Sequence, residues 1–417
     1  MIERASELTA SVRVKSDPPA ATPESEPYEN LNQLPYEVVF RGGQSQTCGD
    51  GHPLFCLFMR DRQYLERFRK MDAYSAAMAF IRGEFDVEGD LVAAVAARSA
   101  LPRNWKDLVY TAVARFSRAR LESLFQTRVQ AVRNIRHHYD CSNRFYQQFL
   151  DSRMVYSCAY FRDAEWPLEQ AQIAKLDHIC RKLDLHEGDK FLDVGCGWGG
   201  LVLHAAEQFG ASSTGCTLSK RQFAYALNLA QGSPHAGRIM ILDADYRDLT
   251  GRFDKIASVG MFEHVGRRRL GSYFRKVASL LDTNGLFLNH GIMRPQSVSD
   301  DAETLFLGKR VFPGGELAHL SDVVRIAESA GLEVLDVENL RPHYALTCRE
   351  WVRRLQQNPA ACLGCVGNVR YRTWLLYLAA SAYSFERGQT DVYQVLMAKR
   401  ASRQRTHLTR DYIYKSS

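Results

Sequence analysis

Through the second half of the chain, short apolar runs alternate with longer amphipathic stretches. "KFLDVG", "SSTGCT", "IMILDA", "FDKIASVG" and "LFLNHGI" read as buried strands, short runs that are apolar in all but the small-residue "SSTGCT" and stop at small or polar breaks. Between them, "GGLVLHAAEQF", "KRQFAYALNLA" and "RRLGSYFRKVASLL" space their apolar residues as one face of a helix requires. "LEVLDVENL" and "VYQVLMAKR" supply two further strands. This alternation predicts an α/β fold: a doubly wound, mostly parallel, seven-stranded Rossmann-like sheet. No period repeats along the chain, which excludes a solenoid.

Upstream the pattern differs. Residues 1–34 contain "SDPPAATPESEPYENLNQ", which holds too little bulky apolar content to offset the entropy of ordering, and read as a disordered leader. Residues 35–110 read as a small N-terminal α+β domain, for lipid binding or dimerisation. Its "YEVVF" is a short strand, and helical patterns lie on either side of the glycine-marked turn "RGEFDVEG". Residues 111–150 set aromatic and aliphatic residues at helical spacing with arginines between them, and read as a basic helical linker and substrate cover. Those arginines either face solvent or meet an anionic membrane surface. Residues 151–417 carry the strand–helix rhythm and the candidate chemistry.

Composition narrows the picture only slightly. The 417 residues are 46% hydrophobic and 24% charged, as expected of a globular protein. Lys and Arg outnumber Asp and Glu by 54 to 47, a surplus that suits an anionic membrane surface, a nucleic acid or an ordinary enzyme. Ten cysteines at irregular spacing do not form a disulfide framework, which points to a reducing cytoplasm. Cys362 and Cys365 form a CxxC without a second pair, so no metal is expected. No span approaches the roughly 20 apolar residues that cross a bilayer, so contact with membrane is expected from the surface, peripherally at its inner face. Base-stacking modules are missing, and the basic tail "KRASRQRTHLTR" does not by itself make a nucleic-acid partner.

The sharpest local signal is "FLDVGCGWGG". A strand ends near Asp193, and Gly195, Gly197, Gly199 and Gly200 permit a tight turn with close backbone approach to a ligand. A glycine-rich turn alone also suits a dinucleotide enzyme. Here the G-C-G-W-G-G spacing resembles motif I of S-adenosylmethionine-dependent methyltransferases more than a nicotinamide site. The next strand runs into "TGCTLSKRQ" and lacks the acidic residue that usually binds the ribose hydroxyls.

The ordered set "HHYDCSNRFYQQFLDSRMVYSCAYF", "AKLDHICRKLDLHEGDKFLDVGCGWGGL", "TLSKRQ", "DADYRDL" and "SVGMFEHVG" resembles the cyclopropane-fatty-acyl-phospholipid synthases and the mycolic acid cyclopropane synthases. The resemblance covers residues 137–400, with a weaker match before them to the phospholipid-type N-terminal domain. It implies an S-adenosylmethionine-dependent catalytic domain over 151–417. Tyr156 and Ser157 would close over the methionine part of the cofactor, and Asp193, Gly195 and Gly197 would line its turn. Thr217, Ser219 and Gln222 would stand in for the missing acid near the ribose, and Asp245 and Tyr246 would read the adenine.

The chemistry implied is methyl transfer to the double bond of unsaturated fatty acyl chains in membrane phospholipids. An isolated alkene is a poor nucleophile, so the methyl comes from a sulfonium held in line with it, and transfer leaves a carbocation. Ring closure then requires a positioned base to take a proton from the new methyl. The resemblance implies that a bound bicarbonate is that base, cradled by Cys158, Glu263, His290, Ile292 and Tyr344. A free carboxylate would repel bicarbonate, so Glu263 must share a hydrogen with it. His264 is expected to support the loop. The resemblance also implies a homodimer, and the loop from Ser297 to Leu320 is expected to shape an acyl tunnel.

One departure stands out: where many relatives carry a cysteine, "YLAASAYSF" places Ser381, which receives no chemistry. Two other readings stay open. The same methyl transfer could end in a methylene or methyl branch, or the chain could be a peripheral membrane-binding protein whose catalysis has decayed.

Overall fold

The computed structural model describes residues 34–100, 141–298, 317–402 and 407–414. The leader, most of the 111–150 linker and the greater part of the 297–320 loop lie outside the described residues.

Seven strands form the larger sheet: β5 (Lys190–Val194), β6 (Ser212–Thr217), β7 (Ile239–Asp243), β8 (Phe253–Val259), β9 (Leu281–Met293), β10 (Leu332–Asn339) and β11 (Asp391–Lys399). Their spatial order is β10-β11-β9-β8-β5-β6-β7. The pairs β5–β6, β6–β7, β5–β8 and β8–β9 are parallel. The last strand, β11, lies antiparallel between β9 and β10. β5 is fully buried along Phe191–Val194, which is why it reads as an unbroken apolar run. From β5 the chain steps outward through β6 and β7, then returns to the other side of β5 as β8. The crevice beyond the C-terminal end of β5 is therefore a topological switch point, where α/β sheets bind ligands.

Helices α5 (Leu168–Lys182), α6 (Gly200–Phe209), α7 (Lys220–Gly232), α8 (Leu270–Leu280) and α9 (Leu320–Ser329) cover the two faces. Helices α10 (Arg341–Gln357), α11 (Pro359–Val366) and α12 (Asn368–Glu386) form a separate stack between β10 and β11 in the chain. Three further helices precede this set in the N-terminal unit, α1 (Arg62–Arg69), α2 (Ala73–Arg82) and α3 (Leu91–Ser99), and a single turn, α4 (Asn143–Tyr146), follows them. Asp61, Asp72 and Asp90 cap α1, α2 and α3, accepting backbone N–H groups of Tyr64, Ser75 and Val92 at 2.7, 2.7 and 2.8 Å.

The N-terminal sheet has the order β2-β1-β3-β4, from β1 (Tyr36–Phe40), β2 (Ser45–Cys48), β3 (Phe55–Met59) and β4 (Asp86–Gly89). The stretch expected as a turn, "RGEFDVEG", does more than turn. Gly83 ends α2 in the left-handed conformation (φ 74°), and Asp86–Gly89 then pairs antiparallel with β3. One apolar cluster runs from this sheet (Val38, Phe55) and α2 (Phe80) through Phe145, Tyr146 and Phe149 to Trp351 and Trp374 on α10 and α12. The N-terminal unit thus packs on the α10–α12 stack.

Candidate active site

The glycine turn after β5 is anchored on the neighbouring strand: Gly195 and Cys196 both donate N–H to the Cys216 carbonyl at 3.0 Å. Gly195 has φ +84°, and a Cβ there would lie 2.8 Å from Met261 Cγ, so glycine is required twice over. At Gly197 (φ +55°) a Cβ would meet no protein atom; the open space there belongs to a cavity. Gly199 caps α6 in the left-handed region and aims the first helical N–H groups the same way.

Nine of the ten expected cofactor residues line this single cavity: Tyr156, Ser157, Asp193, Gly195, Gly197, Thr217, Gln222, Asp245 and Tyr246. Ser219 is the exception, and its hydroxyl instead caps α7 by accepting the Gln222 N–H at 3.4 Å. Thr217 donates its hydroxyl to Gln222 Oε1 at 3.0 Å, tying the end of β6 to α7 where the acid is missing. Asp245 accepts from the Arg247 backbone N–H at 3.0 Å and from its guanidinium Nε at 2.8 Å. Tyr246 meets Tyr273 edge-on at 5.7 Å and lines the cavity.

Asp193 is buried, and its Oδ1 has no hydrogen-bond partner. Burial pushes its carboxyl up to about 7, against the pull of Lys175. An orphaned acid, a glycine turn with room for a ligand and helical N–H groups together fit the adenosyl amino acid expected here.

Tyr156 and Ser157 enter from a different direction, on the segment before α5. Tyr156 packs against Trp351 at 5.0 Å and is edge-on to Tyr146 at 5.6 Å. The next residue, Cys158, is fully buried and faces away, its thiol pointing to the Leu340 carbonyl at 3.7 Å. Burial pushes that thiol well up, so it remains protonated.

Glu263 sits on the 3-10 turn after β8, and its Oε1 accepts the Ile292 N–H of β9 at 2.8 Å. As a residue Glu263 is half-buried, but its Oε2 is shielded and has no partner. Burial pushes the carboxyl up to about 7, partly offset by the Ile292 N–H. Tyr344, near the start of α10, packs with Ile292 and Cys158 in one cluster, and its hydroxyl feels both Cys158 and Glu263. His290 lies two residues before Ile292, hence on the same face of β9. Its Nδ1 faces the Gln394 amide nitrogen at 3.2 Å, and its Nε2 is buried without a partner. Burial, then Lys175 and Lys182, hold its imidazole well below the ordinary value, so it is neutral.

Cys158, Glu263, Ile292 and Tyr344 therefore converge, and His290 lies one step along the same strand face. None of the five opens onto the cofactor cavity. Their neighbours do: Ser157 on one side, and Gly260, Met261 and His264 on the other. His264, expected only to support the loop, is part of the cavity wall, and burial lowers its imidazole. Lys175, on α5, was not anticipated, although it is buried and lines the cavity. A signal existed: Gln172, Lys175 and Lys182 fall in the same helical stripe as Leu168, Ala171 and Ile179. Ser381 donates its hydroxyl to the Tyr377 carbonyl at 2.8 Å within α12, as a helical serine does, and makes no approach to this cavity. Among the described residues no His, Cys, Asp or Glu cluster could hold a metal, and all the described cysteines are free.

A seven-stranded sheet of this order, with a glycine turn and cavity at its switch point, defines an S-adenosylmethionine-dependent methyltransferase. The coclaurine N-methyltransferase bound to N-methylheliamine and SAH shares that fold at 20% identity, with a TM-score of 0.60 over 81% of this chain and 99% of its own. The chain belongs to the mycolic acid cyclopropane synthetase family, whose profile matches residues 126–395. It is 39% identical to a probable fatty acid methyltransferase of Pseudomonas putida, over 88% of this chain and 92% of that one. It is 34% identical to cyclopropane mycolic acid synthase 1 of Mycobacterium tuberculosis, over 64% and 96%. The cyclopropane synthase MmaA2 from Mycobacterium tuberculosis superposes with a TM-score of 0.63 at 31% identity, covering 64% of this chain and 98% of its own. CmaA1, a mycolic acid cyclopropane synthase complexed with SAH and CTAB, gives a TM-score of 0.61 at 33% identity, over 64% and 98%. Among the described residues, no helix is long and apolar enough to cross a membrane.

Proposed function

We propose that the chain transfers the S-adenosylmethionine methyl group to the double bond of unsaturated acyl chains in membrane phospholipids and closes a cyclopropane ring. The observation that carries this reading is that two buried side-chain atoms of the candidate cradle, Glu263 Oε2 and His290 Nε2, each lack a hydrogen-bond partner. Unpaired polar atoms in a dry wall cost free energy unless something small and polar joins them. Bicarbonate fits their chemistry, and when bound it supplies a base for the proton that must leave the new methyl group.

The chain's own residues account for the rest. With a carboxyl pushed up to about 7, Glu263 can hold a proton and donate it, where an ionised carboxylate would repel an anion. Ile292 fixes the orientation of Glu263 through its N–H, and neutral His290 offers a ring nitrogen that can donate. Tyr344 stays protonated and adds a hydrogen-bond donor without adding charge, and Cys158 stays a neutral thiol beside it. The aromatic packing of Tyr156 with Tyr146, Phe149, Trp351 and Trp374 keeps water from the carbocation. The net positive charge and the N-terminal unit suit peripheral action at the inner face of the membrane, by a homodimer.

A second reading has support of its own. Relatives 33–35% identical over 67% of this chain are named sphingolipid C9-methyltransferases. In that reading the same methyl transfer ends in a branch. Lipid mass spectrometry of cells expressing the chain tests both. The expected product is a phospholipid acyl chain heavier by one methylene, resistant to hydrogenation and located chemically as a ring. A hydrogenatable methylene or methyl branch would establish the second reading, and unchanged phospholipids would remove the first. Purified protein in carbonate-free buffer should turn over slowly and recover on adding bicarbonate; full activity without it would eliminate the bicarbonate base.

A further inference from the structure

Lys175 is a deeply buried charge that lines the cofactor cavity and that the proposed reaction leaves unused. It stands in the middle of α5, 1% exposed, and lines the cofactor cavity beside Ser157 and Asp193. Its ammonium makes one hydrogen bond among the described residues, donating to Ser157 Oγ at 2.9 Å. An ammonium has three donors, so two are left for a ligand or for solvent inside the cavity. Because the Ser157 oxygen accepts from Lys175, its own hydroxyl hydrogen must point elsewhere, and Ser157 also lines the cavity.

The acids around Lys175 oppose its charge through space but take none of its hydrogen-bond donors. Asp151 is committed to its own turn, accepting the backbone N–H of Val155 at 2.8 Å and of Arg153 at 3.1 Å. Asp193 keeps Oδ1 unpaired and reaches the same cavity. The cavity therefore presents one buried cation with spare donors and one buried acid with a spare acceptor. The amino-acid end of S-adenosylmethionine carries the complementary pair, an α-carboxylate and an α-ammonium.

We infer that Lys175 and the Ser157 hydroxyl it orients form the receptor for the cofactor's α-carboxylate, while Asp193 receives its ammonium. This rests on the S-adenosylmethionine reading above. Lys175 is then a specificity-determining residue: it distinguishes the complete amino acid from an adenosyl thioether that lacks the carboxylate. Burial pushes the Lys175 ammonium down to about 8, and a carboxylate placed beside it would hold it charged.

The test uses the full chain, titrated calorimetrically with S-adenosylhomocysteine and with S-adenosyl-3-thiopropylamine, which keeps the ammonium and lacks the carboxylate. The wild-type protein should bind the first at least about 10-fold more tightly, as a charge-assisted contact in a dry site allows. K175M should weaken S-adenosylhomocysteine by about 10- to 100-fold and leave the amine within about threefold, erasing the preference. K175R should restore part of it. Equal weakening of both ligands in K175M, or undiminished binding of S-adenosylhomocysteine, would overturn the assignment. If K175M does not fold, the wild-type ratio decides: a ratio near one overturns it. Failure of the wild-type chain to bind either ligand would instead remove the S-adenosylmethionine reading itself.

Discussion

The proposed chemistry leans on the Glu263 carboxyl, and its ionisation has a consequence for stability. Its ordinary value is 4.5, and burial in the folded protein raises it to about 7. Below pH 4.5 both folded and unfolded chains hold the proton, and the favourable contribution is complete. As pH rises toward 7 the unfolded chain ionises first, so the folded state loses stability, by about 3 kcal/mol once pH exceeds 7. E263Q removes that loss. Denaturant unfolding at pH 8 should find the variant more stable than wild type by a few kcal/mol, and at pH 4 should find little difference; equal stability at both values would mean that the carboxyl remains solvated. In the same variant, turnover should fall by about 100-fold or more while S-adenosylhomocysteine affinity stays near wild type, since Glu263 does not line the cofactor cavity. At this scale the sequence offered the five candidate cradle residues only because they resemble an ordered family pattern. Lys175 escaped it, since lysine in an amphipathic helix ordinarily faces solvent.

At the scale of elements, the register of β9 matters more than any single side chain. Gly291 lies under the Phe262 ring, and a Cβ there would come within 1.9 Å of Phe262 Cε1. Phe262 precedes Glu263, and Gly291 precedes Ile292, whose N–H holds the Glu263 carboxylate. G291A should push the 3-10 turn off the strand. It is expected to cost about 1–3 kcal/mol of stability, as overpacking does, and to lower turnover well beyond that of a mutation on the far side of the sheet. Thermal unfolding paired with initial rates checks this; a stable variant with intact rates would show that the turn is not set by this contact. Strands such as β5 and the later part of β9 were legible in the sequence because buried parallel strands are almost continuously apolar. β4 was not: Asp86–Gly89 is a short, polar strand at the sheet edge, flanked by turn residues, and only its pairing with β3 makes it a strand.

For the whole molecule, the joint between the N-terminal unit and the α10–α12 stack depends on two arginines. Arg372 donates to the carbonyls of Phe80 at 2.5 Å and Phe85 at 2.6 Å, pairs with Asp86, and lies over the Phe80 ring at 4.2 Å. Arg349 bridges Asp90 at 3.0 Å to Glu386 on α12. The Arg372 side chain is 11% exposed, so its loss leaves buried carbonyls unpaired, unlike the loss of a surface ion pair. R372M is expected to destabilise the protein by about 2–4 kcal/mol and to split thermal unfolding into two transitions as the N-terminal unit loosens. A single transition within about 0.5 kcal/mol of wild type would show that apolar packing alone holds the joint.

The sequence by itself determined the seven strands of the large sheet and three helices that flank it, where the glycine turn falls, and which residues are candidates for cofactor and cradle. Those properties depend on local periodicity, on the conformational freedom of glycine and on ordered motifs, all written along the chain. Only the tertiary structure decided that β11 inserts antiparallel between β9 and β10, since strand order arises from long-range pairing. It alone decided that Ser219 caps a helix, that His264 and Lys175 reach the cavity, and that Glu263 and His290 keep unpartnered atoms. The physical reason is common to all of these: whether a polar group is a solvated surface residue or a reactive one depends on what the rest of the fold brings to bury it, and on which partners that burial leaves out.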